Sequence, residues 1–331
     1  MRFEAFVLGG YPRSPRVRKA LRDLERGVVD SESVERIVIE DSLALIGVQI
    51  GAGLTIVGDP LLDWHDLLRP FAEAWRGVYV DGLLRYFDNN FFYRIPVVRE
   101  LPDPSKRVLG PRVAKLVQAL PPDTRLRVTV PGPITFARLS RIEGPRFEEV
   151  AETVARILGE EIRLAVELGA KVVEIDEPWL SSVDATREDA ELCRDLVSKY
   201  MAGFGETILA TYFSPPSPEI AEVLAEIPTQ FVAIDYVDSP KRAEKALEKM
   251  SGRGVAVGIV QARDLYRDRT DTAIDVVKRL VREVGVSSIA VTTSAWLDLL
   301  PLRHAIEKTR VLGEIARAIV KELGLELSSS S

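Results

Sequence analysis

Eight short apolar runs, separated by stretches of helical periodicity, restrict this chain to very few folds. They fall at residues 3–8, 54–57, 126–130, 172–175, 207–211, 231–234, 255–260 and 288–291. Each is too short for a helix, and the fourth, Val172-Val-Glu-Ile-Asp-Glu-Pro-Trp-Leu180, shows the pattern. An apolar run ends in two acids, and Pro178, with no N–H to give to a ladder, stops it. Helical patterns lie between the runs. The first begins near Pro15, a residue suited to a first helical turn, with Val17, Ala20, Leu21, Leu24 and Val28 on one face. Others cover residues 33–47, 147–168 and 304–323, and Gly169 closes the second of these. Eight strands alternating with helices give the α/β class and, within it, a (β/α)8 TIM barrel. The expected organisation is one domain over residues 1–327, a long excursion at 61–124 between strands two and three, and a disordered tail at 328–331. An open doubly wound sheet would place a Gly-rich phosphate turn after the first strand. Gly9-Gly-Tyr-Pro12 does not match it, and no GxxxxGK[ST] occurs.

Composition narrows the functional classes. The net charge of −6 gives no general attraction to nucleic acid or anionic lipid, and no run approaches the roughly 18 apolar residues of a membrane span. The start of the chain shows no signal-peptide pattern and a single cysteine allows no internal disulfide, so the cytoplasm is the expected location. Two Asn against 94 charged residues (44 basic, 50 acidic) is a thermophile-like balance.

In a barrel the strand ends converge on one mouth, where ligands bind. Here they present Tyr11 and Arg13, Asp59, Pro131-Gly-Pro133, Asp176 and Glu177, Tyr212, Asp235, Gln261 and Arg263, and Thr293 and Ser294. Carboxylates, arginines and aromatic rings make a polar small-molecule site, with Asp176, Glu177 and Asp235 as the candidate catalytic acids. The structural alternative is that these acids cap helices or pair with basic neighbours. The segment Tyr86-Phe-Asp-Asn-Asn-Phe-Phe-Tyr-Arg-Ile-Pro96 either plugs the mouth or forms a binding wall. Cys193 sits in an amphipathic helix and reads as core. With His65 and His304 it makes only three such residues, scattered, so no thiolate zinc site is expected; a carboxylate-only Mg²⁺ site stays open.

These segments, taken in order, resemble the N-terminal barrel of cobalamin-independent methionine synthase. They are Leu8-Gly-Gly-Tyr-Pro-Arg13 with its basic helix, Val57-Gly-Asp-Pro60, Tyr86 to Pro96, Val130-Pro-Gly-Pro-Ile-Thr135, Glu174-Ile-Asp-Glu-Pro178, Ala210-Thr-Tyr-Phe213, Gly258-Ile-Val-Gln-Ala-Arg263 and Thr292-Thr-Ser294. Glu-Ile-Asp-Glu-Pro is shared with a wider superfamily that includes uroporphyrinogen decarboxylase-like barrels. The resemblance implies two similar barrels in the full-length enzyme. The C-terminal one holds homocysteine and a zinc ion bound by one His, two Cys and a Glu. The methyl group comes from a methyltetrahydrofolate with a glutamate tail. The corresponding strand ends here, Ala210-Thr-Tyr-Phe213 and Thr293-Ser-Ala295, offer neither His nor Cys. The implied protein is a stand-alone N-terminal-type barrel. It would bind no cofactor tightly, take a methyl-pterin donor as ligand and work with a separate C-terminal-type zinc barrel. The family's basic first helix approaches the glutamate tail, which by position points to Arg13, Arg16, Arg18 and Lys19 as substrate-binding residues. Two other classes remain open: a non-catalytic binding or regulatory barrel, and a zinc-independent methyltransferase or decarboxylase of the wider superfamily.

Overall fold

The structure, a computed structural model, describes residues 1–87, 89 and 91–327. The tail at 328–331 and two positions of the aromatic segment, Asp88 and Asn90, lie outside the described residues. The strands are β1 (Arg2–Phe6), β2 (Val57–Gly58), β3 (Trp75–Arg85), β4 (Phe92–Pro104), β5 (Leu126–Pro131), β6 (Arg141–Ile142), β7 (Val172–Asp176), β8 (Glu206–Ala210), β9 (Phe231–Asp235), β10 (Gly254–Val260), β11 (Ser288–Thr293) and β12 (Glu326–Leu327). The α-helices are α1 (Pro15–Glu25), α2 (Ser31–Ala52), α3 (Arg69–Ala72), α4 (Gly110–Ala119), α5 (Pro133–Arg138), α6 (Phe147–Glu167), α7 (Arg187–Leu196), α8 (Pro218–Leu224), α9 (Pro240–Leu247), α10 (Thr270–Arg279) and α11 (Leu302–Leu323).

Eight parallel strands run in the order β1-β11-β10-β9-β8-β7-β5-β2 around the barrel. The seam between β2 and β1 is not a regular ladder, because β2 holds only two residues. The Thr55 N–H donates to the Ala5 carbonyl at 3.0 Å and the Ala5 N–H to Thr55 Oγ1 at 2.9 Å, which closes the cylinder. Below this, β12 pairs in parallel with the Arg2–Phe3 end of β1. The second strand was expected at 54–57. It is shorter and later because α2 runs on to Ala52 and stops on Gly53, whose φ of 81° only glycine adopts cheaply. Buried polar side chains on the interior faces of the strands (Glu4, Arg127, Thr129, Glu174 and Asp176) break an otherwise apolar core.

The excursion is not a plain loop. It carries the β3–β4 antiparallel hairpin, joined by β6 into a small second sheet, and then α4. At the root of the hairpin Tyr86 packs edge-on against Phe91 and Tyr93, with ring centroids 6.0 and 5.8 Å apart. It also meets Phe213, beyond β8, at 5.8 Å. This aromatic block bears on the C-terminal end of the barrel. Among the described residues, the non-glycine positions with left-handed backbone are Leu61, Phe87 and Phe213. Such conformations persist only where surrounding packing holds them.

Candidate active site at the barrel mouth

Residues i and i+2 of a strand share a face, so Glu174 and Asp176 both enter the barrel, while Glu177 has the other parity. Asp176 Oδ2 accepts from the Tyr212 hydroxyl at 3.0 Å and from Trp296 Nε1 at 2.7 Å. Glu174 lies 3.0 Å from Arg127 Nη1 and accepts the Gly9 N–H at 2.7 Å. Arg127 itself donates to the Val7 and Gly9 carbonyls, the latter at 2.9 Å. Burial first, and the Glu174 charge second, push Asp176 well above the usual carboxylate range. Two carboxyls this close cannot both ionise cheaply. Burial raises Glu174 too, but Arg127 opposes the rise there, so of the two it is Asp176 that is pushed further toward the protonated form.

Trp296 covers this pair. Its ring passes so close to Gly9 that a Cβ there would lie 1.9 Å from it, and Gly9 has φ of 53°. Gly9→Ala is therefore expected to displace Trp296 from Asp176 and cost on the order of 3 kcal/mol through overpacking and backbone strain. Denaturant unfolding and near-ultraviolet circular dichroism check it; an unchanged midpoint and tryptophan spectrum would contradict the packing described.

The other predicted acids are placed differently. Glu177 turns out of the mouth: its carboxylate accepts the Ile134 N–H at 2.9 Å, the Thr135 N–H at 2.7 Å and the Thr135 hydroxyl at 2.6 Å. It anchors the first turn of α5, with a pKa raised to about 7 by burial, and the geometry does not bring it to Asp176. Asp235 ends β9, buried, with Oδ1 accepting the Asp238 N–H at 3.2 Å and Oδ2 without a partner among the described residues. Burial lifts it to about 7, against the opposing effect of Arg263. Arg263 pairs with Asp238 and lies 5.8 Å over the Phe213 ring, at the aromatic side of the mouth. Gln261 and Ser294 bond to each other at 3.1 Å, and Ser294 Oγ accepts the Ala262 N–H at 3.0 Å, so both brace the β10 loop. Asp59 is committed to a buried ion pair with Arg112 and to the Leu61 N–H. The Tyr11 hydroxyl is buried against Thr309 at 2.8 Å.

The basic helix divides. Arg16 pairs with Glu40 and Asp41, and Lys19 with Asp23, all on the solvent face. Arg13 instead donates to the Leu62 and Trp64 carbonyls at 2.9 and 2.6 Å. With Arg18 it edges a cavity of about 240 Å³ that also meets Trp64, His65, Phe91, Trp296 and Asp298. A small recess of about 20 Å³, between Tyr86, Tyr212 and Phe213, shares Asp66, Phe91, Trp296 and Asp298 with that cavity. Asp298 is raised to about 7 by burial, with Arg13 opposing. His65 is lowered, chiefly by burial and then by Arg13 and Arg69. Asp66 uses Oδ1 to cap the start of α3, accepting the Leu68 and Arg69 N–H groups.

Sequence reasoning missed Glu174, Arg127, Trp296 and Asp298. For Glu174 a signal existed, the shared parity with Asp176 in an apolar strand. For Trp296 and Asp298 none did, because they follow the strand end by a turn whose direction the sequence does not state.

Cys193 lies on the buried face of α7 with Sγ 3.7 Å from Glu177 Oε1, while His65 edges the cavity and His304 belongs to α11. Among the described residues no group of three or more His, Cys, Asp or Glu is arranged to hold a metal ion. The donors present do not fit the thiolate and imidazole zinc centre that the resemblance implies for the full-length enzyme.

A TIM barrel with a charged, aromatic-walled mouth defines the class. The chain belongs to the family described as cobalamin-independent synthase, N-terminal domain, which it matches over residues 76–285. A 5-methyltetrahydropteroyltriglutamate–homocysteine methyltransferase of Mycolicibacterium paratuberculosis is 30% identical over 76% of this chain. The chain spans only about a third (33%) of that relative. A methionine synthase of Methanothermobacter marburgensis is 25% identical over 92% of this chain and 96% of its own length. In fold, the chain is similar to a B12-independent methionine synthase from Shewanella solved with selenomethionine. The TM-score is 0.81 at 16% identity, with 98% of this chain and 99% of that one covered.

Proposed function

We propose that this chain is the N-terminal-type barrel of a methionine synthase-type methyltransferase. It presents a methyl donor, 5-methyltetrahydrofolate or a related compound, to homocysteine held by a separate zinc-bearing barrel. One observation carries the reading. The mouth has an anion-facing edge at Arg13 and Arg18 and an aromatic wall at Trp64, Phe91 and Trp296, while the chain's own His and Cys are dispersed. Arg13, tied to two carbonyls, is a fixed cation, and the Arg18 guanidinium makes no hydrogen bond or ion pair among the described residues. Fixed and free guanidinia suit a carboxylate ligand. Trp296 and the aromatic block keep water from Asp176. Asp298, raised to about 7 by burial with Arg13 opposing, lines the same cavity.

The test is reconstitution. The chain alone is expected to show negligible methyl transfer to homocysteine from methyltetrahydrofolate or methylcobalamin, and a purified zinc barrel of the same family should restore it on mixing. Turnover by the chain alone, or one tightly held zinc per chain, would overturn the proposal. One observation favours a second reading, a binding barrel without a catalytic part: Asp176 is sealed beneath Trp296. Donor binding with no rate gain on adding the zinc barrel would select it.

A further inference from the structure

We infer that the 240 Å³ cavity at the mouth is a binding site for a small methylated onium carboxylate, a molecule with a sulfonium or quaternary ammonium head and a short acid tail. The inference rests on the proposed function only in treating this ligand as a methyl donor; binding itself stands apart.

The cavity is lined by two chemically opposite sets of groups. One is the Phe91 and Trp296 rings with the Asp298 carboxyl, and the adjoining recess adds Tyr86, Tyr212 and Phe213. Aromatic faces attract a cation placed within roughly 6 Å of the ring centroid, and methylated onium ions, which carry no N–H to satisfy, are the cations such rings recognise. A carboxylate beside the rings adds to that field. The other is Arg13 and Arg18, where a carboxylate finds charge-assisted donors. His65 also lines the cavity, its proton affinity lowered by burial and then by Arg13 and Arg69. An anion alone would leave the rings and Asp298 without a partner in the ligand, and a cation alone would leave Arg18 without one.

Size points the same way. At about 240 Å³ the cavity has room for a compact zwitterion. The chemistry balances for a sulfonium head. The homocysteine thiolate supplies the electron pair of the new S–CH₃ bond. The old S–CH₃ bond breaks with its pair returning to the sulfonium sulfur, which leaves as a neutral thioether. No proton is needed.

Calorimetry on the full chain tests this with glycine betaine, S-methylmethionine, tetramethylammonium and 3,3-dimethylbutanoate, the last a neutral-headed copy of glycine betaine. At least one of the two onium carboxylates is expected to bind at least tenfold more tightly than either single-feature probe. Phe91→Leu, which keeps apolar bulk without the ring, should weaken that binding several-fold. Arg18→Gln should weaken it while leaving tetramethylammonium unaffected. Equal binding of 3,3-dimethylbutanoate, or no binding of any onium compound, would overturn the inference. If methyltetrahydrofolate binds where no onium does, and the zinc barrel still restores activity, the inference fails while the proposed function stands.

Discussion

Replacing Arg127 with methionine is expected to lower stability by about 3–5 kcal/mol, the loss typical when one partner of a buried ion pair is removed. Arg127 is fully buried and holds three things at once: the Glu174 carboxylate at 3.0 Å and the carbonyls of Val7 and Gly9 beyond the end of β1. It therefore ties β5 and β7 to the chain leaving β1, across the seam that β2 is too short to close by pairing. Methionine fills similar volume but leaves the Glu174 carboxyl buried without the cation that offsets its desolvation. Adding Glu174→Gln to that variant removes the stranded carboxyl, so the double variant should be no less stable than Arg127→Met alone. Denaturant melts of the single and double variants measure this coupling. A loss under about 1 kcal/mol for Arg127→Met would show that the ion pair does not hold the seam.

Asp235→Asn is expected to stabilise the protein at alkaline pH and to do little near pH 4. Burial lifts Asp235 from its ordinary value of 3.8 to about 7 in the fold. Between those values the folded state holds a proton that the unfolded state has released. Stability from this group is therefore greatest below about pH 4, falls as pH rises through 7, and levels off above. A displacement of about three units corresponds to on the order of 4 kcal/mol. The Asn side chain carries no charge to bury, and its oxygen can still accept the Asp238 N–H. The difference between variant and parent should thus open between pH 4 and pH 8. A flat difference across that range would mean that Asp235 ionises freely in the fold.

Both predictions depend on which way a charged side chain points, and this marks the limit of what the sequence made legible. The parity of β7 holds a signal that sets Glu174 and Asp176 apart from Glu177, but the strand end alone puts Asp176 and Glu177 together at the mouth. Adjacent acids at a strand end looked equivalent, yet one entered the barrel and the other turned to the N–H groups of α5. Likewise the cationic first helix read as one patch, but a helix has two sides: Arg16 and Lys19 found acids in solvent, while Arg13 and Arg18 reached the cavity. Asp59 sat at the expected strand end, and Arg112, 53 residues further on, took up both its oxygens.

The sequence by itself determined the α/β alternation, the barrel, the family and the set of elements that meet at the mouth. These follow from local periodicity and from residues that start and stop strands and helices, which act over a few positions. Tertiary structure alone decided that the excursion forms a hairpin sheet, that Trp296 seals Asp176, and that Asp298 and Arg13 line one cavity. The last two join segments more than a hundred residues apart, and their energies depend on burial and charge proximity. Neither exists until the cylinder closes.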